Sequence, residues 1–196
     1  VQRGLGAAKV AVPSIGGTIN ILSKTSDVNK GGNVVASTGN NGYQKYGFTL
    51  STGLMENGLA ATVSFAKISG EGYIEGTQFE GTNYFVNLSK EINENHKLSF
   101  TSFGAPQRHG QRQNASTVST YRNAEAGNQF NPDWGYKDGQ VTHIEDNFYH
   151  KSQTSLNHYW TINDNTSLST AAYVSYGTGG GGGTAGTNRD LFGVRL

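Results

Sequence analysis

The sequence lacks cysteine, long apolar runs and a strong charge of either sign. No cysteine occurs among the 196 residues, which excludes a disulfide scaffold and a thiolate metal site. No run of eighteen or more apolar residues is present, so a transmembrane helix is not expected. The formal net charge is only +1, which gives no reason to expect a nucleic-acid partner.

Hydrophobic residues make up only 34% of the chain, which is low for an ordinary globular core. The chain nevertheless carries ten Tyr and nine Phe, so disorder throughout is a poor interpretation. Ser, Thr, Asn and Gly occupy the positions that hydrophobic and charged residues would otherwise fill. This composition favours β-strands that face water on one side and are joined by polar loops.

Apolar and polar residues alternate with a period of two along most of the chain, which is typical of strands. About seven such strands follow Gly31. Because neighbours on a strand face opposite sides, the alternation predicts two unlike faces. One face is predicted to carry Phe48, Leu50, Val63, Phe65, Val86 and Leu88. The other is predicted to carry Thr49, Ser51, Thr62, Ser64, Asn87 and Ser89.

The connections between the predicted strands alternate in length. Three are tight turns that contain Asn, at residues 56–58, 93–95 and 163–165, and Asn tolerates the backbone conformations of hairpin turns. A first short hairpin lies at Asn40–Gly42, and the connections that alternate with the three turns are long, at about 69–81, 104–153 and 177–196. Outer-membrane barrels have short periplasmic turns and long extracellular loops. The pattern therefore predicts an all-β fold, an antiparallel transmembrane β-barrel of which about seven strands are present, with the first face toward lipid.

The first residues carry a family motif. Val1-Gln2-Arg3-Gly4, then Ile15 to Ile21, then Lys24-Thr25, resemble the closing segment of the plug domain in TonB-dependent outer-membrane receptors. The matching plug-motif residues are Arg3, Gly4, Gly16, Gly17, Asn20 and Lys24. Residues 103–112 resemble the start of a long extracellular loop in nutrient importers of the starch-utilisation type. The Gly-rich stretch after Tyr176 also fits that branch.

The resemblance implies a domain organisation. Residues 1–25 would be the end of the plug, 26–32 a linker, and 33–196 the first part of the barrel. Residues 17–24 would then pack apart from the barrel sheet, with Ile19 and Ile21 buried. The sequence starts at Val1 without Met or a signal peptide, so we expect it to be a piece of a longer protein.

The resemblance also implies a function. The protein would import a nutrient, either a glycan, a peptide, a siderophore or a vitamin, by TonB-coupled active transport in the bacterial outer membrane. Its partners would be outer-membrane lipid, the periplasmic TonB coupling protein, a surface lipoprotein and the imported small molecule or oligosaccharide. No catalytic activity and no cofactor are implied. Two other interpretations stay open, a soluble all-β surface or carbohydrate-binding module and an enzyme on a β scaffold.

The long loop 104–153 supplies the candidate binding residues. Polar and aromatic side chains on a long exposed loop suit ligand capture, and the alternative is a loop packed on itself or on a partner lipoprotein. The candidates are Arg108, His109, Arg112, Tyr121, Trp134 and Tyr136. His143, Glu145 and His150 match no strong metal-ligand spacing, so no metal site is predicted.

Overall fold

A computed structural model of the chain describes residues 2–3, 17–18 and 25–183. Its elements are almost all strands, in the order β1 (Gln2–Arg3), β2 (Gly17–Thr18), a 3-10 turn (Thr25–Asp27), β3 (Gly31–Thr38), β4 (Gln44–Leu54), β5 (Leu59–Gly70), β6 (Phe79–Asn93), β7 (His96–Gly104), β8 (Gln107–Gly110), α1 (Val118–Asn123), a second 3-10 turn (Gly127–Gln129), β9 (Trp134–Lys137), β10 (Gln140–His143), β11 (Asp146–Asn163) and β12 (Thr166–Gly181). The predicted all-β class is confirmed. In the part of the chain that is described, no helix is long and apolar enough to cross a membrane.

One antiparallel sheet dominates the structure. Its strands follow the order β12, β11, β7, β6, β5, β4, β3, with β3 and β12 at the two edges. Each strand from β3 to β7 pairs with its neighbour in the sequence. The sheet is open, so it confirms the antiparallel architecture of the prediction but not a closed barrel.

Strands β7 and β8 together form one long strand that is interrupted at Pro106. Gly104 faces Tyr84 on β6, and Gln107 faces Gly81, three residues further along each strand. The register therefore continues without a shift. Proline has no backbone N–H, and this explains the local gap in the ladder. Counted this way, the main sheet has the seven strands that the sequence predicts.

The two ends of the main sheet differ, as the alternation of connection lengths predicts. The turn end carries the three Asn-containing turns, and in each the Asn side-chain oxygen accepts the N–H two residues later, at 3.0 Å. Adjacent turns also touch, because the N–H of Thr161 donates to the carbonyl of Asn95. The loop end carries connections 71–78 and 111–145, together with the short turn between β3 and β4 at residues 39–43. The predicted placement of Asn57 and Asn93 at one end is confirmed.

The two faces of the sheet separate as predicted. Phe48 lies opposite Phe65, and Val63 opposite Val86, all on what we call the apolar face. Several of its side chains are exposed: Phe48 37%, Leu50 55%, Val63 38%, Phe65 41% and Leu88 43%. The opposite, polar face is more buried, with Asn87 at 0%, Ser89 at 3% and Thr62 at 8%.

Hydrogen bonds between side chains run across the polar face. Asn87 Nδ2 donates to Ser99 Oγ at 3.2 Å and to Thr101 Oγ1 at 2.6 Å. Nearer the edge, the hydroxyls of Thr49 and Ser64 lie 2.9 Å apart. The buried polar side chains therefore satisfy one another, as polar groups out of contact with water must.

The segment before the main sheet is described only in part. Strands β1 and β2 pair with each other, with Arg3 opposite Gly17, in a sheet of their own. Thr25 is buried, and Lys97 on the polar face donates a hydrogen bond to Ser26. The chain thus reaches the main sheet across its polar face. The other plug-motif residues lie outside the described residues, as do the predicted buried side chains: Gly4, Gly16, Asn20, Lys24, Ile19 and Ile21.

Several predicted boundaries were wrong because strands extend beyond the clear alternation. The predicted linker 26–32 is shorter, since β3 begins at Gly31, where the Leu50 side chain covers Gly32. The predicted loop 69–81 shrinks to residues 71–78, because Gly70 pairs with Phe79. Glycines extend the last strand too, so β12 continues to Gly181 although a loop was predicted from residue 177.

The predicted loop 104–153 is the largest correction. Its first part forms β8, and its last part belongs to β11, which starts at Asp146. Between them, residues 111–145 form an ordered segment that we call the insertion, with a short helix and the β9–β10 hairpin. The backbone of β8 pairs with β6 and β11 although its side chains do not alternate between apolar and polar, which is why the sequence pattern missed this strand.

Candidate functional site at the loop end

A cleft opens at the loop end of the main sheet. Its volume is about 560 Å³. The ends of β4, β5, β6, β8 and β11 line it, together with residues of connection 71–78 and of β10. The side chains that line it are Gln44, Ser69, Glu71, Gln78, Phe79, Glu80, Arg108, His109, His143 and Asp146. Two of the predicted candidates, Arg108 and His109, are among them.

Arg108 is the main cation of the cleft. It sits on β8 between Glu80 on β6 and Phe148 on β11. Its Nη2 donates to Asp146 Oδ2 at 2.7 Å, and its guanidinium carbon lies 6.0 Å from the centre of the Phe148 ring. The Arg108 side chain is 64% exposed, so this ion pair adds little stability. Its remaining donors face solvent and are free to bind a ligand.

His109 and His143 also line the cleft, His109 from β8 and His143 from β10 within the insertion. The Nε2 of His109 is 3.2 Å from Gln111 Nε2. A side chain at Gly110 would meet the carbonyl oxygen of Gly76 at 2.0 Å, so only glycine permits this approach. The cleft thus combines cations, carboxylates and amides. Such a mixture of donors and acceptors suits a polar ligand rich in hydroxyl or amide groups.

Asn131 and Asp133 hold the insertion together from inside. They are 1% and 2% exposed. Asp133 Oδ2 accepts the backbone N–H groups of Gln113 and Asn114, each at 2.8 Å. Asn131 Nδ2 donates to the carbonyl of Glu75 at 2.7 Å. The insertion is therefore fastened both to itself and to connection 71–78.

Arg112 and Tyr121 form a second cluster within the insertion. Arg112 Nη1 donates to the carbonyls of Asn128 and Phe130, at 2.9 and 3.0 Å. Its guanidinium lies 5.5 Å from the centre of the Tyr121 ring, which in turn meets Phe130 edge to face at 6.3 Å. Both side chains contribute contacts within the insertion, although Arg112 is exposed and Tyr121 half-buried, so this cluster shapes the insertion.

Trp134 and Tyr136 are neighbours on β9 but differ in exposure. Trp134 is 9% exposed and packs on Gly76, where a Cβ would meet its Cγ at 2.3 Å. Tyr136 is 54% exposed, with its ring 5.8 Å from that of Trp134. Tyr136 therefore presents an aromatic face on the surface of the hairpin, while Trp134 anchors the hairpin to connection 71–78.

The six predicted candidates thus fall into two groups. Arg108 and His109 line the cleft, and Tyr136 is exposed on the β9–β10 hairpin. Arg112, Tyr121 and Trp134 pack the insertion on itself, which was the alternative to ligand capture. That Arg108, His109 and Tyr136 bind a ligand stays a prediction.

Several residues at this end were not predicted from the sequence. Glu80, His143 and Asp146 join the cleft through strand register. The buried pair Asn131 and Asp133 had a local signal, since Asn and Asp accept hydrogen bonds from the backbone two residues on, and the N–H of Asp133 donates to Asn131 Oδ1 at 2.9 Å.

Within the described ranges, no group of three or more His, Asp or Glu side chains is arranged to hold a metal ion. His150 instead lies 3.2 Å from the Tyr84 hydroxyl, away from His143. Comparison of the chain with protein-family models, with curated proteins and with solved structures found no match to any of them.

Proposed function

We propose that this chain is part of a TonB-dependent outer-membrane receptor. Its main sheet would form one sector of a transmembrane barrel, and the rest of the plug and barrel would lie outside the chain. Residues 1–25 would complete the plug. The receptor would import a polar nutrient by TonB-coupled active transport, and the loop end would face the outside of the cell.

The observation that carries the proposal is the exposed apolar face. Tyr46, Phe48, Leu50, Val63 and Phe65 lie side by side on it and are 37–55% exposed. The polar face, in contrast, is the more buried one. A soluble sandwich would place the apolar side chains against a second sheet. Contiguous apolar area of this extent is rare on a soluble monomer, whereas lipid contact would bury it.

Charged residues on the apolar face lie only toward its two ends. On the apolar face of β6 the charged residues are Glu80 and Lys90, and between them this face carries Thr82, Tyr84, Val86 and Leu88. Residues 80 and 90 are ten steps apart, which is about 34 Å along a strand. A strand tilt of about 45° reduces this to about 24 Å, close to the apolar band of about 25 Å in outer-membrane barrels.

The other strands agree with this band. On β5 the apolar face carries Leu59, Ala61, Val63 and Phe65 before Lys67. On β7 and β8 no charge interrupts the face between His96 and Arg108. A charge in the middle of a lipid-facing strand would cost several kcal/mol, so the band fits a membrane in width and in composition.

The cleft at the loop end is the proposed place of first ligand contact. Glu80 and Arg108 lie on the apolar face at the loop-side end of the band, so the cleft would open outside the membrane. There Arg108, His109 and Tyr136 would contact a polar solute such as an oligosaccharide or peptide. The partners would be outer-membrane lipid, the periplasmic TonB protein through the missing part of the plug, and a surface lipoprotein near the insertion. The mixed donors and acceptors of the cleft support a polar solute.

A pair of arginine substitutions in the full-length receptor tests the membrane assignment. Phe65→Arg places a charge on the apolar face at mid-strand and should reduce folding stability in lipid vesicles by about 2–4 kcal/mol. Ser64→Arg, one residue away, places the same charge on the polar face and should cost much less. Folding yield is measured by the resistance of the folded form to proteolysis and to detergent at low temperature.

Two further matched pairs control for crowding of the polar face by the plug. They are Phe48→Arg with Thr49→Arg, and Leu50→Arg with Ser51→Arg. The proposal requires that the apolar-face member is worse in all three pairs. Equal tolerance on both faces, together with full solubility without detergent, would support the alternative of a soluble surface or carbohydrate-binding module.

A further inference from the structure

Two histidines meet at the turn end of the apolar face. His96 is the first residue of β7, and His158 lies on β11 opposite Leu98. Their Nδ1 and Nε2 atoms are 3.0 Å apart. The ring planes differ by only 2°, with centroids 5.2 Å apart. The rings therefore meet edge to edge, with one nitrogen of each facing the other.

Neighbouring groups fix this arrangement. The backbone N–H of His96 donates to Asn93 Oδ1 at 2.9 Å, which holds the start of β7 against its turn. Trp160 lies opposite His96 in the sheet, and its ring stacks on the His96 imidazole at 5.4 Å and 21°. The strand register thus brings together two histidines that are 62 residues apart.

We propose that His96 and His158 form a two-histidine chelating site for a divalent transition-metal ion. In the metal-free protein, one proton is shared between the two nitrogens. To bind the ion, the ring that donates this hydrogen bond would take its other tautomer, with its proton on the outer nitrogen, so that both facing nitrogens offer lone pairs and water completes the coordination. This site is independent of the proposed transport function, and nothing in that function requires it.

The geometry fits such an ion. Imidazole nitrogens bind zinc at about 2.0–2.1 Å, so two adjacent ligands are about 2.9 Å apart at a right angle and about 3.4 Å apart at a tetrahedral angle. The observed 3.0 Å lies within this range. The facing lone pairs point almost along the line between the two nitrogens, so both rings must turn from this hydrogen-bonded orientation when they bind one ion.

The ligand type selects the class of metal. Imidazole favours copper, nickel and zinc over calcium and magnesium, which prefer oxygen. The nearby charges do not occupy the site. Lys90 donates to the carbonyl of Asn57, and Lys97 projects from the other face to Ser26. Both histidines are half-buried and not enclosed, so solvent supplies the remaining ligands.

Trp160 provides a direct readout. The chain has two tryptophans, and Trp134 is buried in the insertion at the other end of the sheet. Cu²⁺ bound to His96 would lie within a few ångströms of Trp160 and quench its fluorescence. We expect saturable quenching with one Cu²⁺ per chain on titration of the detergent-solubilised full chain, reversed by a chelator. Affinity should fall on acidification, because both nitrogens must be deprotonated.

Substitutions separate the site from other histidines. His96→Gln and His158→Gln should each weaken Cu²⁺ binding by at least about tenfold. The double variant should be little worse than either single variant, because removing one ligand already breaks the chelate. His109→Gln and His150→Gln, at the loop end, are the matched controls and should bind Cu²⁺ as the parent does. Trp160→Phe should lose the quenching but keep the binding measured by calorimetry.

Electron paramagnetic resonance of the Cu²⁺ complex provides a second measurement, because two equivalent imidazole nitrogens give a characteristic splitting that one nitrogen does not. The proposal fails if His96→Gln and His158→Gln leave the affinity unchanged, or if the two control variants weaken binding equally. It also fails if the double variant retains the two-nitrogen spectrum. A folding defect in one histidine variant would be recognised by altered emission of Trp134, and His→Asn at the same position would then replace it.

Discussion

The main sheet and the insertion are ordered by different interactions. In the main sheet, long strands pair along their backbones in continuous register, and much of one face is exposed. In the insertion, strands are short, and buried polar side chains hold the backbone from within, chiefly Asn131 and Asp133. Side chains in the sheet therefore mainly determine whether each face suits an apolar or an aqueous environment. Side chains in the insertion determine whether that segment folds.

This difference predicts that the insertion can be unfolded without the sheet. The sheet makes its contacts across six strand pairings, and the insertion joins it through β8, connection 71–78 and the start of β11. Local opening of one segment, with the rest intact, is common where few contacts cross the boundary. The predictions below test this separation, starting with the largest expected effect.

Asp133→Ala should have the largest effect. The substitution leaves the backbone N–H groups of Gln113 and Asn114 without their acceptor in a buried place. Hydrogen bonds to a charged group contribute about 1.5–3 kcal/mol each, so we expect a loss of about 3–5 kcal/mol in the insertion. Hydrogen exchange should become fast across residues 111–145 and stay slow in β4 to β6.

Glu125→Ala is the matched control, because Glu125 is an exposed acid within the same insertion. It should leave the exchange rates unchanged. If Asp133→Ala instead accelerated exchange across the whole sheet, the two regions would unfold together and the comparison would be wrong.

The sequence predicted the sheet much better than the insertion, and the reason is physical. A strand with one apolar face has a period of two, which any short window of sequence contains, and the Asn turns carry their own local hydrogen bonds. The insertion has no such period. Asp133 acts through residues 19 and 20 positions earlier, and a window of sequence does not contain that relation.

The candidate site was predicted only where it lies on a strand. Arg108 and His109 belong to β8, within the segment 103–112 that resembles the start of a long loop, and they do line the cleft. Glu80 and Asp146 reach it through the register of β6 and β11. The His96 and His158 pair likewise depends on register between distant strands, so no spacing in the sequence indicates it.

Gly76→Ala should have the second largest effect. Gly76 has φ of +69°, which favours glycine, and an added Cβ would meet Trp134 Cγ at 2.3 Å. Strain at positive φ costs about 1–2 kcal/mol, and overpacking adds about 1–3 kcal/mol. We expect a loss of about 2–5 kcal/mol, detected as a red shift of Trp134 emission in a Trp160→Phe background.

Gly127→Ala separates the two causes. Gly127 also has positive φ, +55°, but nothing lies within 4 Å of an added Cβ. It should therefore cost only the backbone strain, about 1–2 kcal/mol, and leave Trp134 emission unchanged. Equal losses for the two variants would mean that the contact between Gly76 and Trp134 does not anchor the hairpin.

Pro106→Ala should have the smallest effect and should reveal how the sheet is held. Thr82 donates its N–H to the carbonyl of Pro106 at 2.9 Å, and in this pairing the residue at 106 would return an N–H to Thr82. Alanine supplies that donor, and the new hydrogen bond adds about 0.5–1.5 kcal/mol to the stability. Alanine also gives the unfolded chain more conformational freedom than proline, which lowers the stability by about 0.4–1 kcal/mol. The two terms nearly cancel, so global stability should change by less than about 1 kcal/mol.

A new, slowly exchanging amide should nevertheless appear at residue 106, because β7 and β8 would become one uninterrupted strand. A loss of more than about 2 kcal/mol, or a fast amide at 106, would mean that the proline ring and not the backbone register sets this part of the sheet.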